Sequence, residues 1–149
     1  MRSEPKQAHK MVRVVIDTNV LVSAFLNNGK SRNLVQNLLE SHKVILSTQM
    51  LAELADVLSR DKFNVSADQI KKYLSILVRQ ATIVAINTGS KIVLEDPDDD
   101  VVLNTALCGK ASYVVSGDKH LLKIAKHNNI QVLSVNEFTS VIAKKPKKG

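Results

Sequence analysis

The sequence predicts an α/β fold, a helix–sheet–helix sandwich built on a parallel sheet, and three observations carry that prediction. Short Val-, Ile- and Leu-rich runs alternate with longer segments of helical periodicity. The links between them are short, so successive strands pair in parallel through right-handed crossovers. Apolar residues make up 44% of the chain and aromatics only 3%, which suits a β-branched sheet wrapped by Leu- and Ala-rich helices.

The elements follow in order. Val12–Asp17 (VRVVID) reads as a buried strand that ends in an acid, and Thr18–Leu26 continues with helical spacing until Asn27-Asn28-Gly29 breaks it. Ser31 is placed to cap a second helix whose apolar face is Leu34, Val35, Leu38 and Leu39. Val44–Ser47 is the second strand. Thr48 then caps a helix running to about Arg60, with Leu51, Leu54 and Leu58 as its inward stripe. Ser66-Ala67-Asp68-Gln69 has capping-box spacing and opens a long helix to about Gln80. Thr82–Ile86 is the third strand, and Asn87–Asp99 is acidic and turn-forming. Asp100 opens a helix through Leu107, with Gly109 at its exit. Ser112–Ser116, a helix over Asp118–His127, and Ile130–Val135 complete the alternation. Asn136 caps the final helix, which Pro146 and the lysines end. Strand order does not follow from this pattern.

The 149 residues divide into a flexible leader (1–10), one domain (11–143) and a basic tail (144–149). Of the net charge of +7, the tail supplies +4 and the leader +2, leaving +1 on residues 11–143. The basic character therefore belongs to the ends, where it either holds nucleic acid loosely or keeps the protein soluble. No apolar run reaches the ~18 residues of a membrane span, and the leader lacks the apolar core of a secretion signal. The single cysteine, Cys108, falls in an apolar helical pattern and reads as buried packing. Without an internal disulfide, the chain suits a reducing cytoplasm.

Four acids stand out by position. Asp17 and Asp118 sit where a strand gives way to a helix, Asp100 at a helix start, and Glu53 within two turns of one. Each has an ordinary role alone: Asp17 and Asp118 as caps, Asp100 as a helix N-terminal charge, Glu53 as a solvated edge residue. Together they fall at the sheet edge where open α/β folds bind ligands. Carboxylates gathered there repel unless a cation neutralises them. Oxygen donors without His or Cys partners suit Mg²⁺ or Mn²⁺ rather than zinc. The four histidines lack zinc-motif spacing, and there is no phosphate-cradling glycine loop, GxGxxG sequence or serine-hydrolase elbow.

These motifs give the chain a resemblance to the PIN-domain family, near its VapC-type toxin branch. They are Val15-Ile16-Asp17-Thr18-Asn19, Glu53, Asp96-Pro97-Asp98-Asp99-Asp100 and Val115-Ser116-Gly117-Asp118-Lys119, with gaps of 36, 47 and 18 residues between the acids. The resemblance runs from about Val12 to Val141. It implies a three-layer sandwich around a parallel sheet of about five strands. It assigns Asp17, Glu53, Asp100 and Asp118 as the catalytic, metal-binding acids, with Asn19 and Ser116 supporting them. Asp99 or Asp98 replaces or assists Asp100 if that helix starts earlier. Relatives often carry a further acid two residues after the fourth; here that place is His120, which reads as an exposed helix residue. Asn104, one turn after Asp100, reads as an ordinary exposed side chain or as a residue facing the pocket.

The implied activity is endonucleolytic, Mg²⁺- or Mn²⁺-dependent hydrolysis of RNA, with a protein antitoxin and a homodimer or higher oligomer as expected partners. Few aromatics are available to stack bases, which favours recognition led by the backbone. The competing readings are a non-catalytic PIN-like RNA-binding or scaffold protein and a phosphorelay receiver. The receiver needs adjacent acids at the first strand and an Asp after the third, and neither is present.

Overall fold

Arg13–Ile16 (β1) is the hinge of the topology. The structure, a computed structural model, describes residues 11–86 and 97–143, and for 97–100 it describes the backbone. The leader, the loop at 87–96, the basic tail and the side chains of Asp98, Asp99 and Asp100 lie outside the described residues. Among the described residues the order is β1, α1 (Thr18–Leu26), α2 (Lys30–Ser41), β2 (Lys43–Ser47), α3 (Thr48–Leu58), a 3₁₀ turn (Asp61–Phe63) and α4 (Ala67–Gln80). Then come β3 (Thr82–Val84), α5 (Pro97–Cys108), β4 (Tyr113–Val115), α6 (Lys119–Ile124), β5 (Lys126–His127), β6 (Ile130–Leu133) and α7 (Val135–Ala143).

The sheet order is β3-β2-β1-β4-β6-β5, with every pairing parallel except β5 with β6. From β1 the chain winds outward through β2 to β3, returns beside β1 as β4, and winds outward the other way. Right-handed crossovers in opposite directions put helices on opposite faces, which makes the three layers. Val14, Val15 and Ile16 are consecutive and fully buried, as a strand covered on both faces requires. The core continues through Leu38, Leu46, Leu54, Leu103, Val114 and Phe138.

Local chemistry fixes the helix ends, and not always at the expected residue. The capping box at Ser66 and Gln69 forms as predicted. In α3, however, Ser47 rather than Thr48 is the cap and accepts from the Met50 amide. Helix α7 is capped by Ser134, not Asn136, because Ser134 and Glu137 exchange reciprocal bonds of 2.9 and 3.1 Å. Helix α2 starts at Lys30 after Gly29, so Ser31 lies inside its first turn. The helix expected over Asp118–His127 ends at Ile124. Asn128 and Asn129 take φ of 46° and 69°, the primed turn of a two-residue hairpin, and this creates the short antiparallel β5.

Helix α5 ends in a Schellman motif: the Lys110 amide donates to Leu107 O (3.2 Å) and the Ala111 amide to Ala106 O (2.8 Å). Lys110, with φ 56°, takes the left-handed position expected of a glycine. Gly109 serves a different end, since a Cβ there would collide with Ile45 Cγ2 on β2. The Arg13 guanidinium caps the same terminus, donating to Gly109 O at 2.5 Å and to Lys110 O at 3.2 Å. Cys108 is exposed, contrary to the expectation of burial, because Ala106 and Gly109 take the inward face of the end of α5 and Cys108 falls on the outward one.

Candidate metal-binding active site

The reversal of winding direction opens a crevice between the carboxyl ends of β1 and β4, the place where open α/β sheets bind ligands. The Asp17 amide donates to Val115 O at 2.9 Å, so the two strands stay paired to their last residue before their loops part. Asp17 leaves β1 on one side of the crevice, and Ser116-Gly117-Asp118 leaves β4 on the other.

Asp17 occupies the N-cap position of α1, yet its side chain makes no cap bond there. Its backbone carbonyl accepts the first helical bonds, from Val20 and Leu21. The carboxylate instead accepts from the Ser116 hydroxyl, Oδ2 to Oγ 2.6 Å, and the residue is 7% exposed. A cap role therefore does not explain this side chain. Ser116, fully buried, also accepts from the Asp118 amide at 2.9 Å, so one hydroxyl links the two acidic loops. Asp118 does act as a cap: its Oδ1 accepts from the His120 amide at 2.8 Å at the start of α6. Its side chain remains 28% exposed toward the cleft, with the His120 ring 3.7 Å away and more open to solvent.

Glu53 projects from the second turn of α3, and its Oε1 accepts from the buried Thr18 hydroxyl at 3.4 Å. Asn19 Oδ1 accepts from the Gly117 amide, also at 3.4 Å, across the mouth of the crevice. Asp17, Thr18, Asn19, Glu53 and Asp118, with Val22 and Val57 as apolar wall, line one cleft of about 280 Å³. Among the described residues no basic side chain lines it.

Asp99 and Asp100 fall in the first turn of α5. Thr105 of that helix bonds Ser47, the last residue of β2, at 2.8 Å, and α5 ends at Arg13, the first residue of β1. The helix thus runs against the strands and brings its first turn toward the carboxyl edge. Asn104 is 4% exposed, which excludes the ordinary exposed reading. Ser47 and Thr105 escaped the sequence reading as site residues, and Thr18 entered it only as a member of the first motif; Thr105 left a signal there, a hydroxyl within an apolar helix face.

Among the described residues no three Asp, Glu, His or Cys side chains are gathered tightly enough to enclose a metal ion. The donor chemistry nonetheless fits a hard divalent cation. Mg²⁺ keeps several waters and is commonly held by one or two carboxylates, which Asp17 and Asp118 supply with oxygen alone.

The family model described as PIN domain matches residues 13–120, a span that starts at β1 and includes Asp17, Glu53, Asp100 and Asp118. The chain belongs to the PIN-domain family. PIN domains are as a class nucleases. An uncharacterised protein of Methanocaldococcus jannaschii, MJ1680, is 29% identical over 136 residues, covering 85% of this chain and 83% of that one. Three solved structures share the fold. VapBC2 from Rickettsia felis, bound to a promoter DNA fragment, matches with a TM-score of 0.59 at 16% identity, over 82% of this PIN domain chain and 98% of that one. PAE2754 from Pyrobaculum aerophilum gives 0.55 at 13% identity, over 89% and 96%. The PIN domain endonuclease Utp24 gives 0.51 at 20% identity, over 82% and 84%.

Proposed function

We propose that this PIN-domain protein is a Mg²⁺- or Mn²⁺-dependent endoribonuclease, and that Asp17, Glu53, Asp100 and Asp118 are its metal-binding acids. The observation that carries the reading is Asp17: buried, turned away from capping α1, and joined through Ser116 to the loop of Asp118. Carboxylates gathered in one cleft repel, and a divalent cation held between them would neutralise that charge. A divalent ion bound there would lower the pKa of an attacking water and offset charge growing on the phosphate. The chain's own part is positional. Ser116 holds the Asp17 carboxylate and the Asp118 backbone in one frame, Thr18 steadies Glu53, and Val22 and Val57 narrow the site. No residue need become covalently attached to substrate.

The likeness to VapBC2 favours the toxin half of a toxin–antitoxin pair, with a protein antitoxin covering the cleft and a homodimer or higher oligomer as the working form. We place it in the cytoplasm; no helix among the described residues is long and apolar enough to cross a membrane. The alternative is a non-catalytic PIN-like RNA-binding protein. Incubation with a mixed RNA pool separates the two. Internal cleavage with Mg²⁺ or Mn²⁺, abolished by EDTA and by Asp100→Asn with the fold retained, is the expected result. RNA binding without cleavage in either metal would favour the alternative, and full activity of Asp100→Asn would reject the assignment of that acid.

A further inference from the structure

The acidic cleft lacks something that a site for RNA needs. Among the described residues no basic side chain lines it, and its carboxylates repel a phosphate backbone. The charge that holds the rest of the strand must come from the surface beside it.

That surface begins one residue after Asp118. Helix α6 turns Leu121 into the core and leaves Lys119 and Lys123 exposed, four residues apart and so on one face. Ala125, with φ 59°, takes a conformation that side chains disfavour and turns the chain from α6 straight into β5. There Lys126 is exposed, paired across the hairpin with the exposed Gln131, on the outermost strand of the sheet. The three lysines form a series that starts at the cleft and ends at the sheet's edge. No acid occurs between Asp118 and Glu137, and Glu137 is engaged at the start of α7, where its Oε1 accepts from the Ser134 amide at 2.9 Å.

Each lysine has an ordinary local account. The outward face of a helix is commonly charged, and a lysine on an edge strand deters pairing with another chain. Elsewhere, however, exposed cations have an acid one turn away: Arg60 lies 3.5 Å from Asp56 after α3, and Lys72 3.3 Å from Asp68 on α4. Among the described residues none of Lys119, Lys123 and Lys126 forms an ion pair. Like charges four apart on a helix destabilise it, and a polyanion laid across them removes that cost.

We infer that Lys119, Lys123 and Lys126 form a track for the RNA backbone, holding by its phosphates the strand whose scissile bond lies in the acidic cleft. The inference rests on the nuclease reading above, in which RNA is the substrate. Lys119 and Lys123 stand about 5–6 Å apart at Cβ, and their flexible stems can reach successive phosphates. Phosphate contacts carry no sequence information, so the track supplies affinity and direction rather than choice of sequence.

Binding of a fluorescently labelled single-stranded RNA in EDTA separates the track from catalysis, since nothing is cut. Lys123→Gln/Lys126→Gln is expected to lower affinity about tenfold at moderate salt and to make the slope of log Kd against log salt shallower by about 1.4, the value for two phosphate contacts to a single strand. Adding Lys119→Gln lowers affinity further, and Lys123→Arg/Lys126→Arg keeps the wild-type slope. Lys71→Gln/Arg79→Gln removes the same charge from exposed positions on α4, which packs at the opposite edge strand, β3, and leaves RNA affinity unchanged. With Mg²⁺ present, Lys123→Gln/Lys126→Gln raises KM for RNA at unchanged kcat, and its Mn²⁺ affinity by titration calorimetry stays at the wild-type value. Wild-type RNA affinity and salt slope in Lys123→Gln/Lys126→Gln would overturn the inference, whether or not that variant self-associates more readily. An equal loss in the α4 pair would overturn it too, because net charge alone would then be the cause. RNA that is held through the lysines but never cut with either metal would instead reject the nuclease reading and leave the track standing.

Discussion

The two edges of the sheet are built from different materials. Among the described residues the buried polar side chains are Asp17, Thr18, Ser47, Asn104, Thr105 and Ser116. All belong to the carboxyl ends of β1, β2 and β4 or to the stretch of α5 beside them. The amino edge holds none of these. Its polar work is done by Arg13 on the open end of α5 and by His42, whose Nδ1 accepts from the Val12 amide at 3.1 Å. Both edges must satisfy backbone groups, but water could do most of that at the amino edge. At the carboxyl edge hydroxyls and a carboxylate have been taken out of water, which costs free energy unless every group is partnered. The difference separates a part of the fold shaped for stability from one shaped to hold charge.

Substitutions at the two edges should therefore fail in different ways. Ser116→Ala removes the donor to Asp17 and the acceptor of the Asp118 amide. Cleavage should fall by about ten- to a hundredfold, measured as kcat on an RNA pool, while circular dichroism stays native. Undiminished cleavage would show that the carboxyl edge is not specialised as described. Gly109→Ala drives a methyl into Ile45 Cγ2 at the opposite end of α5. Its loss should be about 1–3 kcal/mol of stability in denaturant titration, with kcat per folded molecule unchanged. A kcat loss as large as that of Ser116→Ala would erase the contrast.

The smallest effect belongs to Tyr73, which sits at neither edge. Its hydroxyl donates to Leu21 O at 2.8 Å between α4 and α1, with the ring 4.8 Å from Phe25. Tyr73→Phe should cost about 0.5–1.5 kcal/mol at neutral pH. Burial pushes the Tyr73 phenol well above its ordinary value near 10, against a smaller opposing effect of Arg32. The unfolded chain therefore loses this proton first, and the stability it contributes is present below pH 10 and declines as pH rises beyond it. Urea midpoints at pH 9 and pH 11 should show a steeper decline for the wild-type protein than for Tyr73→Phe. Equal slopes would remove Tyr73 as the cause.

Where one local signal dominated, the sequence was readable. The unbroken apolar runs of β1 and β2 announced strands buried on both faces, and Ser66 with Gln69 announced the start of α4. Errors gathered where two signals competed. Ser47 and Thr48 are both good caps, and only the backbone turn at the end of β2 selects Ser47. Asn136 is a stronger cap in isolation than its place allows, because Ser134 has Glu137 three residues on. The hairpin at Asn128-Asn129 is masked by the helical pattern that runs up to it; the Asn pair is the sign that the helix stops. Asp17 illustrates the limit most clearly. Its place after β1 is visible in the sequence, but whether its side chain caps α1 or turns to Ser116 depends on β4, about a hundred residues away.

Central to the proposed nuclease activity is the binding of a divalent cation by the acids at the carboxyl edge. Anomalous diffraction from crystals soaked in Mn²⁺ tests it most directly. The expected result is a peak in the cleft within bonding distance of the Asp17 and Asp118 carboxylates, and no peak there in the Asp17→Asn protein. A wild-type protein that cleaves RNA while its cleft stays free of Mn²⁺, or with the ion bound elsewhere, would contradict it.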